Sequence, residues 1–183
     1  GDYKIHSFTG DGNFVVSQAG IPIGSDGGPA SADYMVVAGG GAGGSRRGAG
    51  AGAGGYRSSG FGPSPLRGTA VTLTTATFPI TVGGGAAQAP YPSSSVGGRG
   101  SNSVFSTITS TGGGYGNIAP SGDGQTGGSG GGGTGSGTGG AGNTPPTNPS
   151  QGNAGGNGTS EAGGGGGGST AVGSNASGNT GGN

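Results

Sequence analysis

The chain has no cysteine and no tryptophan, and only one histidine and one methionine. Without cysteine, disulfides and thiolate metal sites are excluded, and the redox compartment is left open. Charge is sparse: six Lys and Arg against six Asp and Glu leave a net of zero. Phosphate binding needs a clustered excess of basic residues, so nucleic acid is not expected as a partner. No apolar run approaches the ~20 residues of a membrane helix, so no membrane insertion is expected, and no signal peptide is visible. Every aromatic residue falls at or before Tyr115, and beyond it Ile118 and Val172 are the only large aliphatics. The last third therefore cannot assemble an ordinary hydrophobic core. The chain opens on Gly1 and stops at Asn183 inside a low-complexity run, which predicts a processed or excerpted piece of something longer.

What is present is glycine, 57 of 183 residues. Glycine loses more backbone freedom on folding than any other residue, so a folded chain this rich in it needs compensation. Two outcomes are physically sensible: a disordered linker, or backbones packed closer than any Cβ would allow. Gly or Pro interrupts nearly every window from Gly39 onward, and helix fails on that ground. Five segments read as strand. Tyr3 to Phe8 and Asn13 to Ser17 flank Thr9-Gly10-Asp11-Gly12, a hairpin signal. Asp33 to Ala38 is largely a continuous apolar run, as expected of a strand covered on both faces. Val71 to Val82 is one long strand or two, with Pro79 forcing an edge position or a break, and Phe78, Ile80 and Val82 on one face. Ser103 to Ser110 alternates weakly. Together these predict a small antiparallel β-sandwich holding the aromatics, all-β with little or no helix.

Glycine follows directly behind three of the strands: Gly39-Gly40-Gly41 after Ala38, Gly83-Gly84-Gly85 after Val82, and Gly112-Gly113-Gly114 after Thr111. A random linker would not be placed this way. Past Tyr115, Gly, Ser, Thr and Asn dominate, and Gly163 to Gly168 is unbroken. Collagen needs glycine strictly every third residue and far more proline than 11, so it fails. The ordered alternative is a packed polyglycine-II helix bundle. Such helices have no internal hydrogen bonds, and only glycine lets neighbours approach from all sides. At ~3.1 Å per residue the hexaglycine would span roughly 19 Å. Full disorder of the C-terminal part is the competing expectation.

Several motifs are weighed and set aside. Gly39 to Gly44 satisfies G-x-G-x-x-G behind a strand, but the sequel Ser-Arg-Arg-Gly-Ala-Gly cannot hold a helix. No acid follows between Asp33 and Asp123, so a dinucleotide site is not expected. Arg46 and Arg47, the only adjacent basic pair, read as a solvated turn. His6 reads as an exposed or edge residue, sharing a side with Lys4. Nothing marks a nucleophile elbow or oxyanion hole around it. Asp2, Asp11, Asp26 and Asp33 are explained by turns, while Asp123 and Glu161 are isolated. No spacing of acids or histidines suits a metal. The chain reads as no enzyme, with no catalytic, metal or cofactor site. The Gly-Ala alternation over Gly48 to Gly54 is too short for silk and suits a packed glycine segment. The patterns Asn157-Gly158-Thr159 and Asn175-Ala176-Ser177 match glycosylation acceptors but carry little weight in so Asn- and Ser-rich a chain.

Read in order, DYMVVAGGGAGG, AGGYR, FPITVGGG, GSNSVFSTITSTGGG, GNTPPTNPSQGNAGGNG and GSNASGNTGGN resemble the glycine-rich region of bacteriophage tail-fibre and receptor-binding (adhesin) proteins. The resemblance covers roughly Tyr3 to Asn183. It implies a β-rich mount followed by a polyglycine-helix layer whose exposed loops contact the host surface. It also implies an oligomer, often a trimer, within a longer parent protein. Where that family carries longer glycine runs after the strand, this chain has Ala and Arg, which predicts an irregular first layer. The chain then divides into 1–38 (N-terminal strands), 39–116 (glycine-interrupted β part) and 117–183 (glycine-rich part), one continuous unit. Loop candidates are Arg57 to Arg67, Ala86 to Arg99, Tyr115 to Gln125 and Asn143 to Asn153. Within them Tyr91, Arg99, Tyr115, Asn117 and Asn148 are the candidate receptor contacts. Stacking on a sugar ring suits the two tyrosines, and so does packing against the glycine layer. The implied function is a non-enzymatic virion adhesin binding a host glycan or outer-membrane protein. The alternative is a self-assembling extracellular filament subunit, joined by adding its N-terminal strand to a neighbour's sheet. Ice binding by a flat glycine slab is a third, minor reading.

Overall fold

The computed structural model describes residues 4–20, 30–88, 90 and 95–183. Among them there is no α-helix, only a single 3-10 turn at Ser64–Leu66. The strands, in chain order, are β1 (Gly12–Val16), β2 (Ser31–Ala32), β3 (Met35–Val37), β4 (Tyr56–Ser59), β5 (Arg67–Gly68), β6 (Val71–Thr72), β7 (Ala76–Thr81), β8 (Ser103–Phe105) and β9 (Ile108–Ser110). They form a four-stranded sheet in the order β1-β7-β8-β9, a three-stranded sheet β3-β4-β5 and a two-stranded sheet β2-β6. Pairing is antiparallel except for β4 with β5, which the 3-10 turn joins in parallel.

Several strand expectations are corrected. Of the expected strand Tyr3 to Phe8, Tyr3 lies outside the described residues and Lys4 to Phe8 forms no ladder among them. The Asp11-Gly12 hairpin is therefore not made. β1 instead pairs with β7, placing Phe14 opposite Phe78. That long-range aromatic pairing buries more apolar surface than a local hairpin to Lys4 and Ile5 could. His6 is exposed as a residue, yet its ring meets Phe14 edge-on at 5.1 Å. The segment Asp33 to Ala38 is covered on one face only: Tyr34, Val36 and Ala38 are buried, while Met35 and Val37 are 68% and 50% exposed. Val71 to Val82 is two strands, divided at Leu73–Thr75. Pro79 lies inside β7 opposite Asn13, and the β8 ladder begins only at Ile80, so the missing N–H breaks no pairing. Ser103 to Ser110 is a hairpin, turned at Ser106 (φ 55°).

Phe14, Phe78 and Phe105 pack within 6.0–6.3 Å of one another, and Tyr34 reaches Phe105 at 6.5 Å. This cluster ties the four-stranded sheet to the start of β3.

From these strands the chain runs straight into glycine. The glycine segments are neither helix nor strand, and their backbone hydrogen bonds go to other segments. Donors three residues apart share one neighbour. Ala38, Gly41 and Gly44 donate to Gly55, Gly52 and Ala49; Ala49, Gly52 and Gly55 donate to Asn117, Gly114 and Thr111. The intervening residues turn elsewhere: Gly39 and Ala42 donate to Ser101 and Gly98, and Gly50 and Ala53 to Gly164 and Gly167. Gly114 and Asn117 donate to Ser129 and Gly132, and Gly130 and Gly133 to Asn153 and Gly156. These adjacencies order the segments into three rows. The first holds 83–87, 38–44, 49–55, 163–168 and 181–183. The middle row holds 97–102, 111–117, 127–134, 151–158 and 173–176, and the third holds 122–126 and 137–142. Bonds cross from the first row to the middle and from the middle to the third.

Packing at this spacing excludes side chains. A Cβ on Gly113 would fall within 3.0 Å of the Gly52 carbonyl group and the Gly41 nitrogen, and one on Gly52 within 3.0 Å of the Ser129 carbonyl. The largest fully buried side chains are polar: Gln151, Thr134, Ser59, Ser110 and Ser129. Gln151, 1% exposed, joins the sheets to the rows. Its Oε1 accepts from the Thr111 amide at 2.8 Å, its Nε2 donates to the Pro145 carbonyl at 2.9 Å, and its own carbonyl accepts from Tyr56. Ser129 Oγ donates to the Gly54 carbonyl at 2.9 Å.

Two stability outcomes follow from this packing. Gly113→Ala should lower unfolding free energy by about 1–3 kcal/mol, whereas Gly10→Ala, whose Cβ meets nothing within 4 Å, should stay within about 0.5 kcal/mol of the parent. Gln151→Ala strands a buried amide and carbonyl and should lose about 1–3 kcal/mol. Denaturant titrations of the three variants measure both.

Candidate functional site

The glycine rows gather their turns at two ends. At the sheet end lie Asn143 to Gln151, beside Tyr56 and Thr111. At the opposite end, bonds link Gly44 with Ala49, Ala49 with Asn117, Asn117 with Gly132, Thr134 with Gly122 and Gly137, Gly137 with Gly158, and Asn157 with Ala176. The turns 45–47, 118–121, 135–136, 159–162 and 177–180 close that end.

A groove of about 700 Å³ opens there. Arg46 and Arg47 line one part of it, 117–121 another, and Ser160 also contributes. Both arginines hold left-handed backbone, φ 50° and 54°, which ordinary side chains rarely adopt. The geometry of the rows dictates it: Gly44 must bond Ala49 within one tight reversal, as its amide does at 3.1 Å. Arg47 Nη1 donates to Glu161 Oε2 at 2.7 Å, which ties turn 45–47 to turn 159–162. The pair is 65% and 49% exposed, so it positions the turns and adds at most about 1 kcal/mol.

Across the groove, Asn117 is committed to structure. Its Oδ1 accepts from the Ile118 amide and its Nδ2 donates to the Asp123 carbonyl, both at 2.8 Å. Thr134 Oγ1 adds a 2.7 Å bond to the Ile118 carbonyl, so 118–122 is held at both ends. Asp123 Oδ1 accepts from the Thr138 amide at 2.7 Å and from its hydroxyl at 3.0 Å. Those two bonds, the amide first, hold the Asp123 carboxyl below its ordinary value of 3.8, against a small opposing effect of desolvation.

The structure separates the sequence candidates. Asn117 lines the groove. Arg99 is exposed and donates through Nη2 to Gln125 Oε1. Tyr115 is half-buried, its carbonyl accepting from the Gln125 amide. Arg99 and Tyr115 therefore meet at Gln125, along the rows rather than at the groove. Asn148 is exposed at the sheet end, in a loop with cis peptides before Pro145 and Pro149. Tyr91 lies outside the described residues. Ser121, Ser160 and the two arginines were not among the contacts expected from sequence. Arg46 and Arg47 do stand in an exposed turn, but nothing local in the sequence brings that turn to Asn117. A second groove, of about 330 Å³, lies near the sheet end between Pro63–Leu66 and Ser150, Asn153, Ser169 and Thr170.

Among the described residues, no three His, Cys, Asp or Glu converge as a metal site would need. No helix among them is long and apolar enough to cross a membrane.

The Asp123 bonds give the contact between 123 and 138 an acid dependence. Because its folded pKa is depressed, the carboxylate contributes to the contact with Thr138 fully above pH 3.8, and that contribution is lost as pH falls through the lower folded value. An NMR titration should place the carboxyl midpoint below 3.8, with the Thr138 amide shifting in parallel. A midpoint at or above 3.8 contradicts this.

Neither a curated protein nor a solved structure matches the chain. Residues 18–183, nearly all of it, match the family model described as a glycine-rich domain. With its glycine segments packed in rows and all-β strands at one end, the chain belongs to that glycine-rich domain family.

Proposed function

We propose that this chain is a non-enzymatic adhesin module of a phage tail fibre, in which the glycine rows form a rigid scaffold and the turn end binds the host surface. The rows are polyglycine-II helices in this reading. The observation that carries it is the spacing of the hydrogen bonds: donors three apart reach one neighbour, and the next residue reaches another. A threefold extended helix distributes its peptide groups in that way, and it has no internal bonds to weaken. Such a scaffold spends nearly all its residues on itself and leaves only turns free to vary. Loops on a rigid frame are where recognition is commonly built. The ordered likeness of the sequence strings to phage adhesins supports the same reading, with a glycan or an outer-membrane protein of the host as receptor and the virion as location.

The groove at Arg46, Arg47, Asn117 and Ser121 is the proposed contact. Its arginines supply donors, and Ile118 to Pro120 supply a small apolar surface on which a sugar face can rest. Immunogold labelling of native particles with antibody to the chain should mark fibre tips. Labelling of a continuous polymer away from virions would overturn the assignment. Arg46→Ala with Arg47→Ala should reduce adsorption to host cells about tenfold or more while leaving the melting temperature near that of the parent. Unchanged adsorption removes the groove from the proposal.

One observation favours the filament reading: Ile5 is 84% exposed, and Lys4 to Phe8 pair with no strand among the described residues. In that reading the segment completes a neighbour's sheet. Ile5→Asp should then abolish polymers that form at high concentration, and an absence of polymers in the parent protein rejects it.

A further inference from the structure

The groove near the sheet end is built from three segments far apart in the sequence. Its volume of about 330 Å³ lies at the small end of the ~300–1,000 Å³ that ligand sites span. Pro63, Pro65 and Leu66, from the 3-10 turn between β4 and β5, make one side of it apolar. The rest of the lining is Ser150 and Asn153, with Ser169 and Thr170 just past the hexaglycine. Each segment is held. Leu66 donates its amide to the Pro63 carbonyl at 2.9 Å, and Arg67 Nε donates to the Gly62 carbonyl at 2.7 Å. Asn153 donates to the Gly168 carbonyl through its amide at 3.0 Å and through Nδ2 at 3.1 Å, and Nδ2 also reaches the Ser169 carbonyl at 3.1 Å. Gly168 in turn donates to Ala171 at 2.9 Å, which closes the turn carrying Ser169 and Thr170.

The polar groups of this lining divide in two. Ser150 Oγ is spent locally, on the Gly152 carbonyl at 3.0 Å. Asn153 Nδ2 holds two carbonyls, which sets the orientation of the amide and leaves Oδ1 as an acceptor. That oxygen and the hydroxyls of Ser169 and Thr170 have no hydrogen-bond partner among the described residues. In the neighbouring loop the same residue types are used up: Asn143 Oδ1 accepts from the Thr147 amide and hydroxyl, and Thr144 Oγ1 donates to the Gly142 carbonyl. No Lys, Arg, His, Asp or Glu lines the groove.

We propose that this groove binds a neutral pyranose sugar. A pyranose carries C–H groups on a face and hydroxyls around its edge. Its face can rest on the two prolines, while its hydroxyls donate to Asn153 Oδ1 and exchange bonds with the hydroxyls of Ser169 and Thr170. A charged ligand would be taken out of water with no counter-charge in the lining. A wholly apolar one would cover the Asn153 oxygen and leave it unpaired, at a cost that a hydroxyl avoids. The site lies away from the turns that carry Arg46 and Arg47 and does not rest on what that end binds.

An amide-resolved NMR titration of the full chain tests it, using the methyl glycosides of glucose, galactose, mannose and N-acetylglucosamine, with methyl glucuronoside as the charged comparison. At least one neutral glycoside should give saturable shifts centred on Asn153, Ser169 and Thr170. Ser169→Ala with Thr170→Val should weaken that binding about tenfold or more. Its melting temperature should match that of the parent, because neither hydroxyl holds another residue. Arg46→Ala with Arg47→Ala should leave the binding unchanged, which separates this groove from the turn end. The proposal is overturned by an absence of saturable shifts from every neutral glycoside, by shifts centred elsewhere, or by tighter binding of the glucuronoside. Full binding by the Ser169 and Thr170 variant, or weakened binding by the arginine variant, overturns it equally.

Discussion

An extended glycine segment cannot satisfy its own peptide groups, and the rest of this structure depends on how that need is met. Each N–H and C=O removed from water must find a partner on another segment, because an unmade bond costs about 1–3 kcal/mol. Successive residues here point to different neighbours, so Gly50 and Gly52 bond to Gly164 and Gly114 respectively. A segment with one neighbour is then largely unsatisfied, and one with several is locked. The rows consequently stand or fall together. Stability of this kind comes from many amide bonds and close carbon–carbonyl approaches, with little help from apolar burial.

The sheets solve a different problem. Nucleating a set of extended chains requires their starting points to be held in register, and glycine, with its entropy cost, is poorly suited to do so. The aromatic cluster of Phe14, Phe78, Phe105 and Tyr34 fixes β3, β7 and β8 relative to one another. The chain leaves β3 and β7, and the β8–β9 hairpin at β9, and enters the rows within one or two residues. Gln151 and Ser129 then seal the junction with hydrogen bonds where a larger apolar residue would hold the segments apart. The two parts are interlocked, which explains why the largest fully buried side chains of the glycine part, Gln151, Thr134 and Ser129, are an amide and hydroxyls.

Much of the fold is legible from residues. The triglycines behind Ala38, Val82 and Thr111 mark where strands give way to rows, and the lack of helix follows from glycine spacing. The failed readings share a cause, which is partner choice. Gly12–Val16 pairs with β7 rather than with its hairpin neighbour because Phe14 has Phe78 to meet. Met35 and Val37 stay exposed because no element among the described residues covers that face of β3. At the groove, Asn117 could be named from its loop. Arg46 and Arg47 could be placed only in a turn, and Glu161 read as an isolated acid although it lies opposite Arg47.

By itself the sequence determined what this chain could not be and what it must build with. It has no cysteine, one histidine, few charges and an apolar supply that ends near Tyr115, so glycine backbone is the only material for its second half. Tertiary structure alone decided which segments lie side by side, which turns meet at the groove and which glycines remain uncovered. The physical reason lies in glycine itself. Its segments carry no side-chain pattern to choose a neighbour, and register is set only when strands, turn lengths and the hydrogen bonds of all the rows are satisfied at once.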